Sequence, residues 1–312
     1  MKTAKPGPII LRSNAWAMLR DHVLITLYGY LTRRALPLFV RGCDIISAGP
    51  MVVGRHEPQV AAAIEGFAAD GYSGFLIDVG ANIGLTSCIS GQHFKSLVMF
   101  EPNPLCLGVL QSNCAIALGE RPREIRPYGL GMRSEQLTLR VPLKNWGGAY
   151  VVTADNAYDK QTLLTKDGFE TEDAANYRTV SIQIESAELT FQDLFAQLDQ
   201  AGQSKGTIKI DVEGLELVIL RAIAKTLPSG LEVAIIFEHW GGEFSGEALV
   251  ALFAGRAELL ALEKAPTGAR TRLGKLLDLL LSGAQTFTKQ PWRRGSTATD
   301  LVLIVKSNAA KS

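Results

Sequence analysis

The segment FLIDVGANIG at positions 75–84 carries the first arrangement that could bind a cofactor. An apolar run ends at Asp78, and Gly80 and Gly84 then form a turn that should open into a helix. Glycines in such a turn let the backbone approach a ligand closely and present free N–H groups. Their spacing is G-x-x-x-G, whereas the turn that holds a dinucleotide pyrophosphate has G-x-G-x-x-G. The segment therefore favours S-adenosylmethionine, which has no phosphates, over NAD.

A second apolar run, SLVMFEPNP at positions 96–104, ends at Glu101, about 20 residues beyond the glycine turn. A carboxylate at this distance can accept hydrogen bonds from both hydroxyls of a ribose. Glu101 alone could equally be a surface residue at the end of a strand. Together with the glycine turn it favours a nucleoside cofactor, because two independent features fall at compatible positions.

The segment GTIKIDVEGLELVILRAI at positions 206–223 brings two carboxylates, Asp211 and Glu213, to the carboxyl end of a buried strand. Ligands of open parallel sheets bind at that edge. The two carboxylates could steer a sulfonium, hold a metal ion or take a proton. Glu213 could also be only an acidic residue that the dipole favours at the start of a helix.

The segment EVAIIFEHWGGE at positions 232–243 places Glu238, His239 and Trp240 at the same edge. His239 is the most attractive general base, because the ordinary pKa of histidine, about 6.5, lies nearest to working pH. A histidine beside a sheet is also often structural, and Trp240 suits packing or a substrate platform. The predicted catalytic set is His239, Asp211, Glu213 and Glu238.

Five short runs rich in Val, Ile, Leu and Phe must position these residues, and several are followed by helix-like segments. The runs are Phe75–Val79, Leu97–Phe100, Ile208–Ile210, Val233–Phe237 and Leu301–Val305. This alternation predicts an α/β domain with a parallel sheet covered on both faces.

Residues 1–73 are predicted to form a helical extension that precedes the main domain. The pattern predicts helices over 15–40 and 56–70, with Pro58 in the first turn of the second helix and Gly71 just past its end. The extension and the main domain, residues 74–312, are the two parts we expect.

The N-terminal sequence lacks the apolar core of a signal peptide, so we do not expect secretion. Its most apolar stretch, Val23–Leu31, is about half the length that a membrane-spanning helix needs. We therefore expect no transmembrane segment and interpret this stretch as a core or docking helix.

Two insertions are predicted in the main domain, at about 142–179 and 265–299. The first lies between LTLRVP and VSIQIES, which alternate like half-exposed strands. The second contains a helical pattern that we expect to close over the site, although a cationic helix can also contact an anionic membrane peripherally. The pattern sets Leu273, Leu276, Leu277 and Leu280 opposite Arg270, Arg272 and Lys275.

Composition excludes several classes of function. The chain has 32 basic and 31 acidic residues, which argues against nucleic acid as a partner, since duplex binding relies on many cationic contacts to phosphates. The four cysteines form no C-x-x-C pair and there are only four histidines, so neither a zinc site nor a disulfide framework is predicted. We expect reduced thiols in a cytoplasmic protein.

Taken together, the motifs resemble the FkbM family of S-adenosylmethionine-dependent methyltransferases over about residues 74–306. IKIDVEG after DVGANIG is the most family-specific pairing. Two positions depart from the family pattern: Leu215 stands where Ala is usual, and Ala222 stands where the following helix usually has Gly. The other motifs that carry the resemblance are FEPNP, the turn at Asn145, Gly147 and Gly148, FQDLF, IIFEHW and ATDLVLIVK.

The resemblance implies a Rossmann-like class I methyltransferase fold, with a mostly parallel seven-stranded sheet and helices on both faces. It implies methyl transfer, usually to a hydroxyl oxygen of a sugar, glycan, polyketide or other small metabolite. The cofactor would be S-adenosyl-L-methionine, with its ribose at Glu101. The residues expected on its methionine side are Asp78, Gly80, Asn82 and Gly84, and Asn103 completes the predicted cofactor-binding set.

Several alternatives stay open at this point. Methyl transfer is an in-line displacement, and His239, Asp211 or Glu213 could take the proton of an alcohol. Mg²⁺ on Asp211 and Glu213 could orient an acceptor oxygen, although the sequence does not demand it. The rival functions are a non-catalytic module that binds S-adenosylmethionine or docks on a partner or membrane, and an NAD-dependent oxidoreductase, which the glycine spacing disfavours. The acceptor and the oligomeric state are left open.

Overall fold

The computed structural model describes residues 15–33, 37–42, 44–151, 164, 173–239, 245–264, 274, 287–294 and 298–308. The described helices are α1 (Ala15–Leu31), α2 (Ile45–Val53), α3 (Pro58–Ala69), α4 (Leu85–Ser90), α5 (Pro104–Leu118), α6 (Ala187–Gln200), α7 (Glu216–Thr226) and α8 (Gly246–Ala251). The described strands are β1 (Phe75–Val79), β2 (Ser96–Phe100), β3 (Arg123–Arg126), β4 (Gly129–Gly131), β5 (Glu135–Pro142), β6 (Tyr150–Val151), β7 (Tyr177–Ser186), β8 (Lys205–Ile210), β9 (Glu232–Glu238), β10 (Ala257–Lys264), β11 (Phe287–Pro291) and β12 (Asp300–Val305).

Eight strands form the main sheet, in the order β11-β10-β12-β9-β8-β1-β2-β3. The run from β9 to β3 is parallel, and β12, β10 and β11 each pair antiparallel with their neighbours. The predicted mostly parallel sheet is confirmed, with one strand more than the seven expected. The additional strand is β11, which lies inside the predicted second insertion and pairs with β10 at the sheet edge.

Helices cover both faces of this sheet, as predicted. On one face, Phe191 and Phe195 of α6 pack with Ile219 of α7 against the strands. On the other face, Phe67 of α3 and Leu110 of α5 pack in a second cluster. Because both faces are covered, the central strands are apolar nearly throughout, and all five residues of β1 are buried.

A second, four-stranded sheet forms in the order β4-β7-β5-β6. The two predicted alternating segments become β5 and β7, which pair antiparallel from Glu135 opposite Ile184 to Pro142 opposite Tyr177. One face of this sheet packs in a cluster that includes Leu139, Ile182 and Leu215, so the sheet lies against the loop that follows β8. Of the predicted insertion 142–179, residues 152–163 and 165–172 lie outside the described residues.

The N-terminal region differs from prediction in its first helix. The expected helix over 15–40 ends at Leu31, and the described residues near Pro37 are not helical. A proline lacks the backbone N–H that a helix needs and disfavours helical backbone at the preceding residue. Helix α2 was not predicted, and the helix expected over 56–70 is confirmed as α3.

Of the two interpretations of Val23–Leu31, the core helix is wrong, because the large side chains of α1 are exposed, and the docking helix stays a prediction. Among the described residues, no helix is both long and apolar enough to cross a membrane. The leucine-rich pattern of the second insertion, with Arg270, Arg272 and Lys275, lies outside the described residues, as does Trp240.

Candidate active site

A cavity of about 430 Å³ opens at the carboxyl ends of β1, β2, β8 and β9. This volume falls within the range of roughly 300–1,000 Å³ that is usual for small-molecule sites. The four-stranded sheet forms one wall through Leu139, Ile182 and Ile184. The loop between α2 and α3 contributes to the lining as well. The cavity therefore joins three separate parts of the chain at the edge where the sequence places its candidate residues.

The loop after β1 brings bare backbone to the cavity. Gly80 has φ 86°, and the backbone N–H groups of Gly80 and Ala81 both donate to the carbonyl of Phe100 at 3.0 Å. A Cβ atom at Gly80 would lie 1.9 Å from the carbonyl oxygen of Asp211. Only glycine fits there, because both the positive φ and the close approach exclude a side chain. Asn82, two residues later, also lines the cavity.

Glu101 lies in the cavity wall, at the position that the sequence predicts for a ribose. Its two carboxylate oxygens accept hydrogen bonds from the backbone N–H groups of Asn82 and Asn103, each at 2.7 Å. Burial raises the pKa of Glu101 to about 7, and these two hydrogen bonds oppose the rise. Each oxygen keeps a second lone pair, so the carboxylate can still accept bonds from a diol.

Three other predicted cofactor residues lie beneath the cavity and not in its lining. Asp78 is buried and accepts a hydrogen bond from the hydroxyl of Ser87. Gly84 has φ 84° and starts α4. Asn103 caps α5, where its side-chain oxygen accepts from the backbone N–H of Leu105 at 3.0 Å. These residues shape the loops that reach the cavity, whereas Gly80, Asn82 and Glu101 face it.

Lys209, which sequence reasoning did not select, stands between two of the predicted carboxylates. Its Nζ lies 2.8 Å from Oδ2 of Asp211 and 3.5 Å from Oδ1 of Asp78. Burial alone would lower the pKa of Lys209, but the carboxylates of Asp211, Asp78 and Glu57 hold the pKa above its ordinary value. The available signal was a lysine inside the otherwise apolar run TIKID, since a buried lysine needs a partner.

The predicted acidic residues at the ends of β8 and β9 do line the cavity. Asp211, Glu213 and Glu238 all belong to its wall. His239 is not among the described lining residues; its backbone N–H donates to the carbonyl of Thr299 at 2.9 Å. Burial lowers the pKa of the His239 side chain.

A second histidine, His56, lines the cavity together with Glu57, and sequence reasoning missed both. They lie in the loop between α2 and α3, where Nε2 of His56 is 3.8 Å from Oε2 of Glu57. Burial lowers the pKa of His56, while the charge of Asp211 opposes this. Burial and then repulsion from Asp211 raise the pKa of Glu57 to about 8. The run HEP at 56–58 was informative only as the start of a helix.

The loop that carries His56 follows a segment that is fastened to the four-stranded sheet. Asp44 accepts a hydrogen bond from the backbone N–H of Trp146 at 3.3 Å and forms an ion pair with Arg41 at 2.6 Å. The guanidinium of Arg41 lies 4.3 Å from the centre of the Trp146 ring. The N-terminal extension is thereby held against the turn at Trp146–Gly148, which lines the cavity.

The cavity carries little sign of a metal centre. Within the described part of the chain, no three His, Cys, Asp or Glu side chains are placed to hold a metal ion together. Asp211, the first of the two residues considered for Mg²⁺, has its Oδ2 2.8 Å from the ammonium of Lys209. A cation at that oxygen competes with a metal ion for the same lone pairs.

Comparison with known proteins gives consistent matches. The family model for the methyltransferase FkbM domain matches residues 78–259. Methyltransferase sdnD from Sordaria araneosa is 29% identical over 178 residues, and the match covers 53% of this chain and 62% of that protein. A magnesium protoporphyrin IX methyltransferase from Synechocystis PCC 6803 is similar with TM-score 0.35 and 11% identity, covering 95% of this chain and 100% of that one. An O-methyltransferase from Bacillus cereus has TM-score 0.38 and 9% identity, covering 95% and 94%.

The family match includes the cavity residues of the main sheet and excludes those of the N-terminal extension. It begins at Asp78, spans the Gly80 loop and Glu101, and continues past Glu238. His56 and Glu57 lie outside it. Since the matched region is more than half of the chain, the chain belongs to the FkbM family of S-adenosylmethionine-dependent methyltransferases.

Proposed function

We propose that this chain transfers the methyl group of S-adenosylmethionine to a hydroxyl oxygen of a small organic acceptor, such as a sugar, glycan or polyketide. One observation carries the proposal: a single cavity joins a glycine loop and a buried carboxylate to a cluster of proton-accepting groups. When bound, the cofactor supplies an electrophilic methyl group. The residues of the chain align the two reactants, exclude water and take the proton.

The donor is assigned to the side of the cavity formed by Gly80, Asn82 and Glu101. Glycine at position 80 lets the loop after β1 pack directly against the loop after β8, since a Cβ there would lie 1.9 Å from the carbonyl oxygen of Asp211, and we assign the methionine portion to the cavity beside this loop. Glu101 is held in place by two backbone N–H groups and presents its remaining lone pairs to a ribose diol. The residues present therefore fit a nucleoside cofactor.

Replacing Glu101 with alanine is expected to weaken the binding of S-adenosylmethionine by about 10- to 100-fold, because hydrogen bonds to a charged group are lost. Isothermal titration calorimetry measures the change. The control is Glu120→Ala, which removes an exposed carboxylate in the turn after α5. An affinity for the donor that is unchanged in Glu101→Ala contradicts the assignment.

The acceptor is assigned to the part of the cavity that is lined by His56, Glu57, Asp211 and Glu238. An alcohol is a weak nucleophile, so a base that takes its proton accelerates the attack. Burial lowers the pKa of His56, which keeps the imidazole neutral and able to accept a proton at neutral pH. We propose His56 as the base, in competition with the predicted His239, and Asp211, Glu213 and Glu238 as groups that orient the acceptor.

The pH dependence of kcat, measured at saturating S-adenosylmethionine, is expected to be bell-shaped, because hydrogen bonds from the bound ribose keep Glu101 ionised and remove its pKa of about 7 from the profile. Activity falls on the acid side as His56 gains a proton, at a pH below its ordinary pKa of 6.5 because burial lowers that pKa. Activity falls on the alkaline side near pH 8, where Glu57 ionises and its charge repels the developing alkoxide. His56→Gln removes the acid limb and lowers kcat about 100-fold, and Glu57→Gln removes the alkaline limb.

The variant His239→Gln is the matched control for this profile. If His56 is the base, His239→Gln keeps both limbs and most of the activity. If His239→Gln loses the acid limb while His56→Gln keeps it, the base is His239 and the assignment to His56 is wrong.

The chemistry of the product tests the proposed reaction class. Extracts of the source organism are incubated with the enzyme and a trideuteromethyl-labelled donor, and the labelled products are isolated by mass. An ether methyl signal in the carbon spectrum supports O-methylation. A methyl group on carbon or nitrogen contradicts it, and donor binding without any labelled product favours the non-catalytic module.

We further propose that residues 1–73 form an extension and residues 74–312 the catalytic domain, and that the protein acts in the cytoplasm. Cys88, Cys106 and Cys114 are buried with free thiols, which suits a reducing compartment. The extension supplies His56 and Glu57, so the boundary separates two parts that share one cavity. Nucleic acid is not proposed as the acceptor, because the net charge is close to zero.

A further inference from the structure

Helix α1 is apolar and exposed on every side. Val23, Leu24 and Ile25 are consecutive, and their side chains are 53%, 54% and 70% exposed. Because each residue of a helix turns by about 100°, these three side chains point in three directions around the axis. A helix that is hydrophobic all round needs an apolar environment all round. A single partner helix covers only one side of α1, whereas the acyl chains of a lipid bilayer contact an inserted helix on all sides.

Several polar groups in α1, and the hydroxyl of the residue that follows it, are satisfied by local contacts. The hydroxyls of Thr26 and Thr32 donate to the carbonyl oxygens of His22 and Tyr28 at 2.8 and 2.7 Å. The charges of Arg20 and Asp21 are paired at 2.8 Å. These hydrogen bonds and this ion pair reduce the free-energy cost of moving the polar groups from water into lipid.

The charge of the N-terminal segment that contains α1 indicates which lipids it would bind. Residues 1–43 contain seven basic residues and one acidic residue, although the whole chain is nearly balanced. Aromatic residues that favour a membrane interface stand near both ends of α1, with Trp16 at its start and Tyr30 at its end. The guanidinium of Arg33 lies 4.4 Å from the centre of the Tyr30 ring. Basic residues beside an apolar helix are attracted to anionic head groups.

We propose that α1 inserts into one leaflet of a bilayer that contains anionic lipids, among the acyl chains next to the head groups, and so docks the enzyme on a membrane surface. Its 17 residues extend about 26 Å, less than the roughly 30 Å of a hydrocarbon core. The charged residues Arg20 and Asp21 lie in its second turn. The helix is therefore too short to span the bilayer, and its apolar sides lie among the acyl chains of one leaflet. This proposal is independent of the acceptor and of the residue that serves as base.

Flotation of the full chain with lipid vesicles tests the proposal. The chain is expected to float with vesicles of phosphatidylcholine and phosphatidylglycerol, and much less with phosphatidylcholine alone. The double variant Val23→Glu and Leu27→Glu should lower the partition coefficient at least about tenfold. Arg33→Gln should lower it about fivefold on the anionic vesicles only. The control is Leu189→Glu, which adds a single carboxylate to α6 at a side chain that is 66% exposed.

Three outcomes would overturn the proposal. Wild-type chain that floats with neither vesicle shows that α1 does not bind lipid. Equal flotation with both vesicles, insensitive to salt, shows that anionic head groups are not recognised. The third outcome is a chain that does not bind vesicles and forms a dimer, with the dimer lost in the double variant. This result shows that α1 docks on a second copy of the chain. Calorimetric affinity for S-adenosylmethionine should be unchanged in the double variant, which confirms that the domain is folded.

Discussion

Replacing Lys209 with methionine is expected to lower the free energy of unfolding by about 3–5 kcal/mol, because it leaves buried carboxylate charge without its cation. The ammonium stands between Asp78 and Asp211, and the side chain of Asp78 is only 1% exposed. Oδ1 of Asp78 has no hydrogen-bond partner among the described residues, so the charge of Lys209 is its main compensation. Equilibrium unfolding in guanidinium chloride measures the loss.

The loss should depend on pH in a defined direction. Burial already raises the pKa of Asp78, and removal of Lys209 raises it further. A group with a raised pKa in the folded state stabilises that state at low pH, and the benefit disappears as the pH rises through that pKa. The defect of Lys209→Met should therefore be smaller at about pH 5 than at about pH 8.

Two further variants make this prediction specific. Lys225→Met breaks an exposed ion pair with Glu188 and should change stability by less than about 1 kcal/mol. The double variant Asp78→Asn and Lys209→Met should recover part of the lost stability, since the buried carboxylate of Asp78 is then replaced by a neutral amide. A loss of less than about 1 kcal/mol in Lys209→Met itself would contradict the role we give this ammonium.

Replacing Gly80 with alanine is expected to abolish measurable binding of S-adenosylmethionine. The new methyl group would lie 1.9 Å from the carbonyl oxygen of Asp211, so the loop after β1 or the loop after β8 must move. The left-handed backbone, with φ 86°, adds a cost of about 1–2 kcal/mol. Calorimetry with the donor measures binding, and thermal unfolding measures the accompanying loss of stability.

Gly202 offers a matched control for Gly80, because it also has a positive φ, 67°. A Cβ atom at Gly202 meets nothing within 4 Å in the described part of the chain. Gly202→Ala should therefore cost only the backbone strain and leave donor binding intact. If Gly80→Ala binds the donor as well as Gly202→Ala does, close approach at Gly80 is not required.

The strands were predictable because fully buried strands leave a simple pattern. β1 and β9 consist mainly of Val, Ile, Leu and Phe, whereas β8, KGTIKI, has only Ile208 and Ile210 of this kind. The glycine loop and Glu101 were predictable for the same reason, since they directly follow such runs and thus meet at one edge. Motif membership did not separate Gly80, which faces the cavity, from Asp78, which lies beneath it. Asp78 still lies in β1, where its side chain is buried against Ser87 of α4, whereas Gly80 lies in the loop beyond the strand, and a pattern of residue types does not state where the strand ends.

The contribution of the N-terminal extension could not be predicted in this way. His56 and Glu57 reach the cavity because the loop between α2 and α3 folds over the carboxyl ends of β8 and β9. That approach depends on tertiary contacts such as the hydrogen bond between Asp44 and Trp146, which join positions 102 apart in sequence. Lys209 was overlooked for a related reason: its partners become visible only when β1 and β8 are aligned side by side.

Leu215 takes up space in the wall of the cavity. The position usually holds alanine in the motif that this chain resembles, and here the leucine side chain packs against Leu139 and Ile182 while also lining the cavity. The leucine side chain fills volume that would belong to the cavity if the residue were alanine. An acceptor must therefore fit beside the side chain of Leu215.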